Sequence, residues 1–378
     1  MELDGLKYLV VGAGFYGAVV AERIAEVLGK RVLVIDKRKH IGGNSYSEID
    51  SRTGVEVHNY GSHIFHSKDV RVWEYLNLFC KFNNYRHRVL TKHLDEVYSM
   101  PMNLMTINKF YEKRFTPGEA KEFVESEIKK FHIDHPANFE EKGISLIGKP
   151  LYEAFIKGYS TKQWQKNLTE LPESIINRLP VRYSYNDRYF SDPYEGIPID
   201  GYGTLFENLL GHKNIETELG VDYFDIKDKI PKDCVVIYSG PIDRYFEYQY
   251  GQLGWRTLRF ESEALDIDDF QGTTVMNYAD ESTPFTRIHE FKHYHPEREF
   301  NPKTTIFREF SQFAKKGEDP YYPIGSDSDK LTYQKYLAAS KNEKNVIFGG
   351  RLGGYVYLDM DQVVTMALNH FKTKIQSF

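Results

Sequence analysis

Apolar and glycine positions organise the first forty residues. Lys7-Tyr8-Leu9-Val10-Val11 is a short apolar run with β-branched residues, and Gly12-Ala13-Gly14-Phe15-Tyr16-Gly17 follows at once. Val20, Ile24, Val27 and Leu28 recur at helical spacing until Gly29 stops the helix. Arg31-Val32-Leu33-Val34-Ile35 reads as a second buried strand, ended by Asp36. Residues 81–170 read as helical. Thr116-Pro117-Gly118-Glu119 is a capping box with proline at the first helical position, and Ala120, Phe123, Val124, Ile128 and Phe131 form one apolar face. A helix starts at Asn138-Phe139 and ends at Gly148; another opens at Pro150 and ends at Gly158. From about 171 the pattern changes. Leu171-Pro172 and Leu179-Pro180 bracket an irregular segment that reads as a movable loop. Runs 256–263, 273–279, 285–294 and 304–310 mix β-branched, aromatic and charged residues, as antiparallel strands with one solvated face do. Between them, 203–210 reads as helix and 215–219 and 234–238 as strands. A strand at Asn345-Val346-Ile347-Phe348, a turn at Gly349-Gly350-Arg351 and a helix from Asp361 close the chain.

This order predicts an α/β protein with a discontinuous Rossmann-like domain (1–80, 197–250 and 345–378). A helical domain (81–170) and an antiparallel sheet domain (171–196 and 251–344) interrupt it. At 378 residues the chain has core enough for two or three domains. Its net charge of -5 lacks the basic footprint of a nucleic-acid binder. No apolar run approaches the ~20 residues of a membrane span. Met1-Glu2-Leu3-Asp4 has no basic or apolar leader region, and two cysteines, Cys80 and Cys234, build neither a disulfide framework nor a four-cysteine zinc site. A reducing, cytoplasmic setting is expected. Aromatic residues make up 15%, with 28 Tyr, which leaves rings to stack on flat ligands.

The glycine turn carries the first chemistry. Gly12 permits the tight turn, Gly14 the approach of a pyrophosphate, and Gly17 the packing of helix on strand. The helix N-terminus offers N–H groups to phosphate, and Asp36 accepts from a ribose hydroxyl. The Gly42-Gly43 pair soon after the acid resembles the FAD-binding family that includes amine oxidases, so FAD is expected rather than NAD.

Further motifs follow in order: HIGGNSY (40–46), HNYGSHIFH (58–66), LYEAFIKGYSTKQW (151–164), LPVRYSYNDRYF (179–190), PFTRIHEFKH (284–293), PYYPI (320–324) and FGGRLGGYVYLDMDQV (348–363). With VGAGFYGAV (11–19), they make the chain resemble the bacterial UDP-galactopyranose mutase family over nearly its whole length. The resemblance implies a homodimeric FAD enzyme, active when reduced, that interconverts UDP-galactopyranose and UDP-galactofuranose for surface polysaccharides. It implies a uridine pocket at Phe155, Tyr159 and Trp164. Arg178 and Arg287 would clamp the diphosphate, a task suited to guanidinium. Tyr189, Tyr322 and Tyr357 would contact phosphate and sugar, with Tyr321 as an alternative to Tyr322. Asn277 would contact ribose or sugar, and Asp359 would lie near sugar and flavin. Cofactor contacts are implied for Gly12, Gly14, Phe15, Gly17, Asp36, Lys37, Gly43 and Asn44, and for Tyr60, His63, Arg351, Asp359 and Met360. The catalytic set would be Arg178, Arg287 and His63, with His63 against the flavin.

The implied mechanism has no net redox change. N5 of reduced FAD attacks C1, UDP leaves, the adduct opens, and O4 closes on C1 in place of O5. A reductant must charge the flavin. No side-chain acid or base stands out. The rival readings are an amine-oxidase-like flavin oxidoreductase, which needs no diphosphate clamp, and a UDP-sugar-binding flavoprotein without catalysis. His289-Glu290-Phe291-Lys292-His293 spells HExxH, but its surroundings read as a strand, where the histidines stand ~13 Å apart, so no metal is expected. His58, His63 and His66 are equally poor as a metal set. Ser99 and Ser191 lack a nucleophile context, and Cys234 reads as a small buried hydrophobe.

Overall fold

A computed structural model describes residues 3–176 and 180–376. Five parallel strands form one sheet in the order Val346–Phe348, Val235–Tyr238, Tyr8–Val11, Val32–Asp36 and Ile215–Leu219. Side chains alternate across it. Val10, Val34 and Ile237 face the first helix (Phe15–Val27) and the last (Met360–His370); Leu9, Leu33 and Val236 face Tyr223 and Ile226. With both faces covered, the four strands other than the edge strand Ile215–Leu219 are almost wholly apolar, and each buried aliphatic side chain contributes about 1.5–3 kcal/mol.

A seven-stranded sheet stands beside it, in the order Tyr322–Pro323, Trp255–Leu265, Thr304–Phe313, Arg287–Glu290, Val275–Tyr278, Val89–His93 and Glu96–Met100. Its neighbours pair antiparallel except Val275–Tyr278 with Val89–His93, which run parallel. The last two strands correct the expectation that 81–170 is all helical. Their hairpin turns through Leu94-Asp95, with Leu94 at φ 53°. With leucine at the left-handed position and only Asp95 beside it, the turn leaves a weak signal in sequence. Here Asp280 caps it from outside, accepting from the Leu94 N–H at 2.7 Å.

The helices Leu104–Phe110, Pro117–Lys129 and Phe139–Ile147 pack around Ile107, Val124, Phe139 and Ile147. The capping box at Thr116 and Glu119 and the stop at Gly148 form as expected. Gly158 does not end a helix. The chain passes through a π-turn at Glu153–Lys157 into a further helix, Gly158–Trp164. Gly158 serves close approach instead: a Cβ there would lie 2.3 Å from the Ala279 carbonyl oxygen. The segment 285–294 is also only partly strand, since Phe291–Tyr294 forms a single tight turn.

Candidate active site

Two clefts meet between the sheets. The first, about 1220 Å³ measured out to its mouth, runs over the ends of the parallel strands. Gly12 takes φ 106°, and its N–H donates to the Ile35 carbonyl at 2.8 Å. Asp36 ties the turn down: its Oδ2 accepts from the Ala13 N–H and its Oδ1 from the Arg38 N–H, both at 2.9 Å. A Cβ on Gly17 would meet the Gly12 carbonyl oxygen at 1.9 Å, so Gly17 serves helix packing. The second glycine turn lies directly on the first: a Cβ on Gly14 would sit 3.6 Å from Gly43 Cα, and the Gly42 N–H donates to the Ala13 carbonyl. Gly14 is the N-cap of the first helix and has no side chain to satisfy its leading N–H groups. A bare-backbone cradle at an uncapped helix start suits a dinucleotide pyrophosphate. Asp36, Lys37, Arg38, Gly43 and Asn44 line the same cleft. These residues fit FAD.

Phe15 lines the first cleft too, with its ring packed 4.7 Å from the Phe206 ring. Two cofactor expectations, at Asp359 and Tyr60, need correction; Asp359 lines only the second cleft. Tyr60 lines the second cleft, not the first, with the Arg38 guanidinium 4.3 Å above its ring and its hydroxyl 2.7 Å from His40 Nε2. Arg38 was missed as a site residue. It donates to Asp319 (2.8 Å) and Asn44 (2.9 Å), while Lys37 pairs with the same Asp319 at 2.6 Å. One carboxylate thus straps the loop before Tyr321 across the first cleft.

The second cleft, about 2380 Å³, lies on the mixed sheet. Tyr159, Trp164, Tyr189, Asn277, Arg287, Tyr322, Tyr357 and Asp359 all line it. Phe155 does not. It is core, with its ring 4.9 Å from Tyr98 and 5.3 Å from Phe110. A π-turn at Glu153–Lys157 leads from Phe155 into the helix that brings Tyr159 to the cleft. Arg178 lies outside the described residues, but Ser174 and Ile175 of its loop line the cleft. Tyr322 faces the cleft, whereas Tyr321 is buried and gives its carbonyl to Arg351 at 3.3 Å.

Arg287 is held from two sides. It donates to the Tyr159 hydroxyl, and its Nε lies 3.2 Å from Glu309 Oε1. Burial pushes the Glu309 carboxyl up, but the Arg287 charge and the hydrogen bonds from His289 and Thr286 hold it at about 2. His289 Nε2 lies 2.9 Å from Glu309, and its Nδ1 2.6 Å from Ser62 Oγ. Neither Glu309 nor this relay was read from sequence, although Glu309 alternates inward along its strand. Arg256 was also missed. Buried in the cleft wall, it bonds the Gln163 carbonyl and Ser311 Oγ, leaves Nε and Nη1 without partners, and is lowered to about 10 by burial. Asn277 Oδ1 is likewise a buried acceptor without a partner. Such orphaned groups cost free energy until a ligand completes them.

His63, Arg351 and Met360 line both clefts and form their junction. His63 Nδ1 lies 2.7 Å from the Gly61 carbonyl, which makes it the donor and leaves Nε2 as an acceptor. Burial lowers this imidazole to about 4, so it is neutral near pH 7. The Arg351 guanidinium bonds the Leu358 carbonyl and lies 4.8 Å from the Tyr357 ring. Asp359 caps the last helix, with its N–H donating to Gln362 Oε1 at 2.9 Å, so that helix starts at the junction. Its N-terminus favours negative charge there.

The two HExxH histidines serve different partners. His289 belongs to the Glu309 relay; His293 lies 3.3 Å from Asp269 and 3.4 Å from Glu290. Asp269, Glu290 and His293 bring ligand-type atoms within 4.8 Å of one another. The Glu290 carboxylate there already accepts from the Phe270 and Gln271 N–H groups and from Thr304 Oγ1. No helix among the described residues is long and apolar enough to cross a membrane.

A dinucleotide cradle opening into a cation- and tyrosine-lined cleft defines a nucleotide-binding enzyme of the Rossmann class. Residues 10–79 match the family model of NAD(P)-binding Rossmann-like domains, and residues 154–357 match that of UDP-galactopyranose mutase. A Klebsiella pneumoniae chain named "Probable UDP-galactopyranose mutase" is 43% identical over 97% of this chain and 94% of its own. An Escherichia coli chain named dTDP-fucopyranose mutase is 42% identical over 96% of both. The crystal structure of a reduced UDP-galactopyranose mutase shares the fold, with a TM-score of 0.74 at 15% identity over 97% of this chain and 95% of that one. The chain belongs to the UDP-galactopyranose mutase family.

Proposed function

We propose that the protein is an FAD-dependent mutase that interconverts UDP-galactopyranose and UDP-galactofuranose, an isomerisation without net redox change. One observation carries this reading: the cofactor cradle and the orphan-rich second cleft share His63, Arg351 and Met360, so a cofactor ring and a sugar would meet there. Reduced FAD, when bound, supplies a nucleophilic ring nitrogen for the anomeric carbon.

The chain's own residues bind, orient and exclude water. Tyr159 and Trp164 offer stacking faces to uracil. Arg287, with Arg178 from the neighbouring loop, holds the diphosphate while it leaves and returns; Tyr189, Tyr322 and Tyr357 add neutral hydrogen bonds. Arg287 starts paired with Glu309, which holds its fork in place before the ligand arrives. Asn277 Oδ1 accepts from a ribose or sugar hydroxyl. Neutral His63 presents Nε2 as an acceptor at the junction. Arg351 and the start of the last helix stabilise negative charge on the cofactor side. The protein works as a homodimer in the cytoplasm and takes electrons from an external reductant.

The 42% identity to a dTDP-fucopyranose mutase favours a second reading, in which the nucleotide is dTDP and the sugar lacks its 6-hydroxyl. Incubation of dithionite-reduced holoprotein with UDP-galactofuranose and, separately, dTDP-fucofuranose decides between them. Chromatography is expected to show UDP-galactopyranose as the faster-formed product. Faster dTDP-fucopyranose formation selects the second reading, and no product from either refutes both.

A further inference from the structure

The helix Gly158–Trp164 carries Tyr159 and Trp164, while the hairpin of Val275–Tyr278 and Arg287–Glu290 carries Asn277 and Arg287. The second cleft can grip one nucleotide only if these two elements keep a fixed separation. Lys162, on the same helix and assigned no role so far, spans the gap. Its Nζ donates to the carbonyls of Tyr278 (2.8 Å), Asp280 (2.7 Å) and Phe285 (3.1 Å). An ammonium has three N–H donors, and here all three end on one hairpin.

No carboxylate is bonded to this ammonium among the described residues. The nearby Asp280 is engaged elsewhere, with His93 Nδ1 at 2.8 Å and the Leu94 N–H at 2.7 Å. Burial lowers Lys162 to about 8, against the pull of Asp280 and Glu281. The chain therefore keeps a cation half-buried on carbonyls, at a cost in solvation, where an apolar residue would pack more cheaply. One helical turn earlier, Gly158 lets the helix touch the Ala279 carbonyl between those same carbonyls. At the far end, the Gln163 carbonyl accepts from Arg256 and, at 3.0 Å, from Ser311 Oγ. The three contacts tie the helix at both ends to the sheet.

We propose that Lys162 is a positioning residue for nucleotide binding: it locks the helix of Tyr159 and Trp164 to the hairpin of Asn277 and Arg287 at the spacing a nucleoside diphosphate requires. This rests on the nucleotide-sugar reading of the second cleft. Lys162 itself lines neither cleft. Its loss leaves three carbonyls without donors and frees the helix to shift by a fraction of an ångström to an ångström, which costs about 100-fold in kcat/KM, mostly through KM.

The test compares FAD-loaded wild type with Lys162→Met and Lys292→Met. Lys292 also donates to a backbone carbonyl, that of Asp268, but lines neither cleft. UDP and dTDP are titrated as probes, with flavin content, flavin spectrum and Tm recorded. Lys162→Met is expected to keep wild-type flavin content and spectrum while binding the preferred nucleotide at least about tenfold more weakly. Lys292→Met is expected to bind as wild type even where its Tm falls equally. Affinity of Lys162→Met within twofold of wild type overturns the proposal, and so does an equal loss in Lys292→Met. If Lys162→Met does not accumulate as holoprotein, Gly158→Ala, which lifts the same helix off Ala279, is titrated in its place; weaker binding supports the lock and unchanged binding overturns it. If neither variant folds, the contact is a folding element and the proposal fails. A wild type that ignores both nucleotides overturns the nucleotide reading, and the lock with it. A wild type that binds beside an unimpaired Lys162→Met overturns the lock alone.

Discussion

The two clefts are built by different means. The first is made of backbone: glycine turns, an uncapped helix start and one aspartate, all within residues 12–43. The second is made of side chains from segments far apart in sequence, held by a relay of Arg287, Glu309, His289 and Ser62. Backbone shape depends on small residues at fixed offsets and tolerates little substitution. A side-chain cleft depends on charge pairing and can be retuned residue by residue. That difference fits a family whose relatives near 42–43% identity carry names with different nucleotides and sugars.

Variants can break one cleft at a time. The largest effect is expected for Arg287→Ala, which removes the proposed diphosphate donor and strands the Glu309 carboxylate. Turnover falls about 10³-fold, while the yellow FAD stays bound and its spectrum unchanged; flavin lost in parallel with activity would contradict the separation of the clefts. Gly17→Ala strikes the opposite side. Its Cβ would lie 1.9 Å from the Gly12 carbonyl oxygen, and relieving that overlap costs on the order of 3 kcal/mol. Purified protein is expected to retain little FAD while its far-ultraviolet circular dichroism stays native.

A smaller, graded effect follows from acid. Burial lowers His58 and His87 to about 3 and His63 and His370 to about 4. These imidazoles take up protons more readily in the unfolded chain, so their contribution is complete above pH 6.5 and declines as pH falls toward 3. Glu56 and Glu309, both held at about 2, add a further loss below pH 4.5. Denaturant midpoints should fall steadily from pH 6.5 downward; a flat profile between 6.5 and 4 would show that the histidines are not buried neutral. The smallest effect separates two neighbours. Tyr322→Phe should raise KM by about threefold to tenfold through one lost hydrogen bond, and Tyr321→Phe should leave it unchanged. The reverse outcome would exchange their places.

How far the sequence could be read follows the same division. The strand–glycine–helix–strand unit, the capping box at Thr116 and the last helix were legible because local spacing determines them. The hairpin at Val89–Met100 was not, because its left-handed turn position is filled by Leu94 instead of glycine or asparagine and depends on distant Asp280. Phe155 was assigned to the uridine pocket by resemblance alone, and nothing in its local sequence marks that its ring packs into the core against Tyr98 and Phe110. Glu309, Arg256 and Lys162 stayed invisible because their partners lie across the sheet or on another element, and spacing along one chain does not encode those contacts.

If a reduced cofactor ring and a sugar carbon meet at His63, Arg351 and Met360, turnover depends on the redox state of the flavin. The most direct test is the initial rate of UDP-galactofuranose conversion by one holoprotein sample, fully oxidised and then fully reduced. Conversion is expected only after reduction, with the amount of reduced flavin unchanged at the end. Equal rates in both states would contradict it.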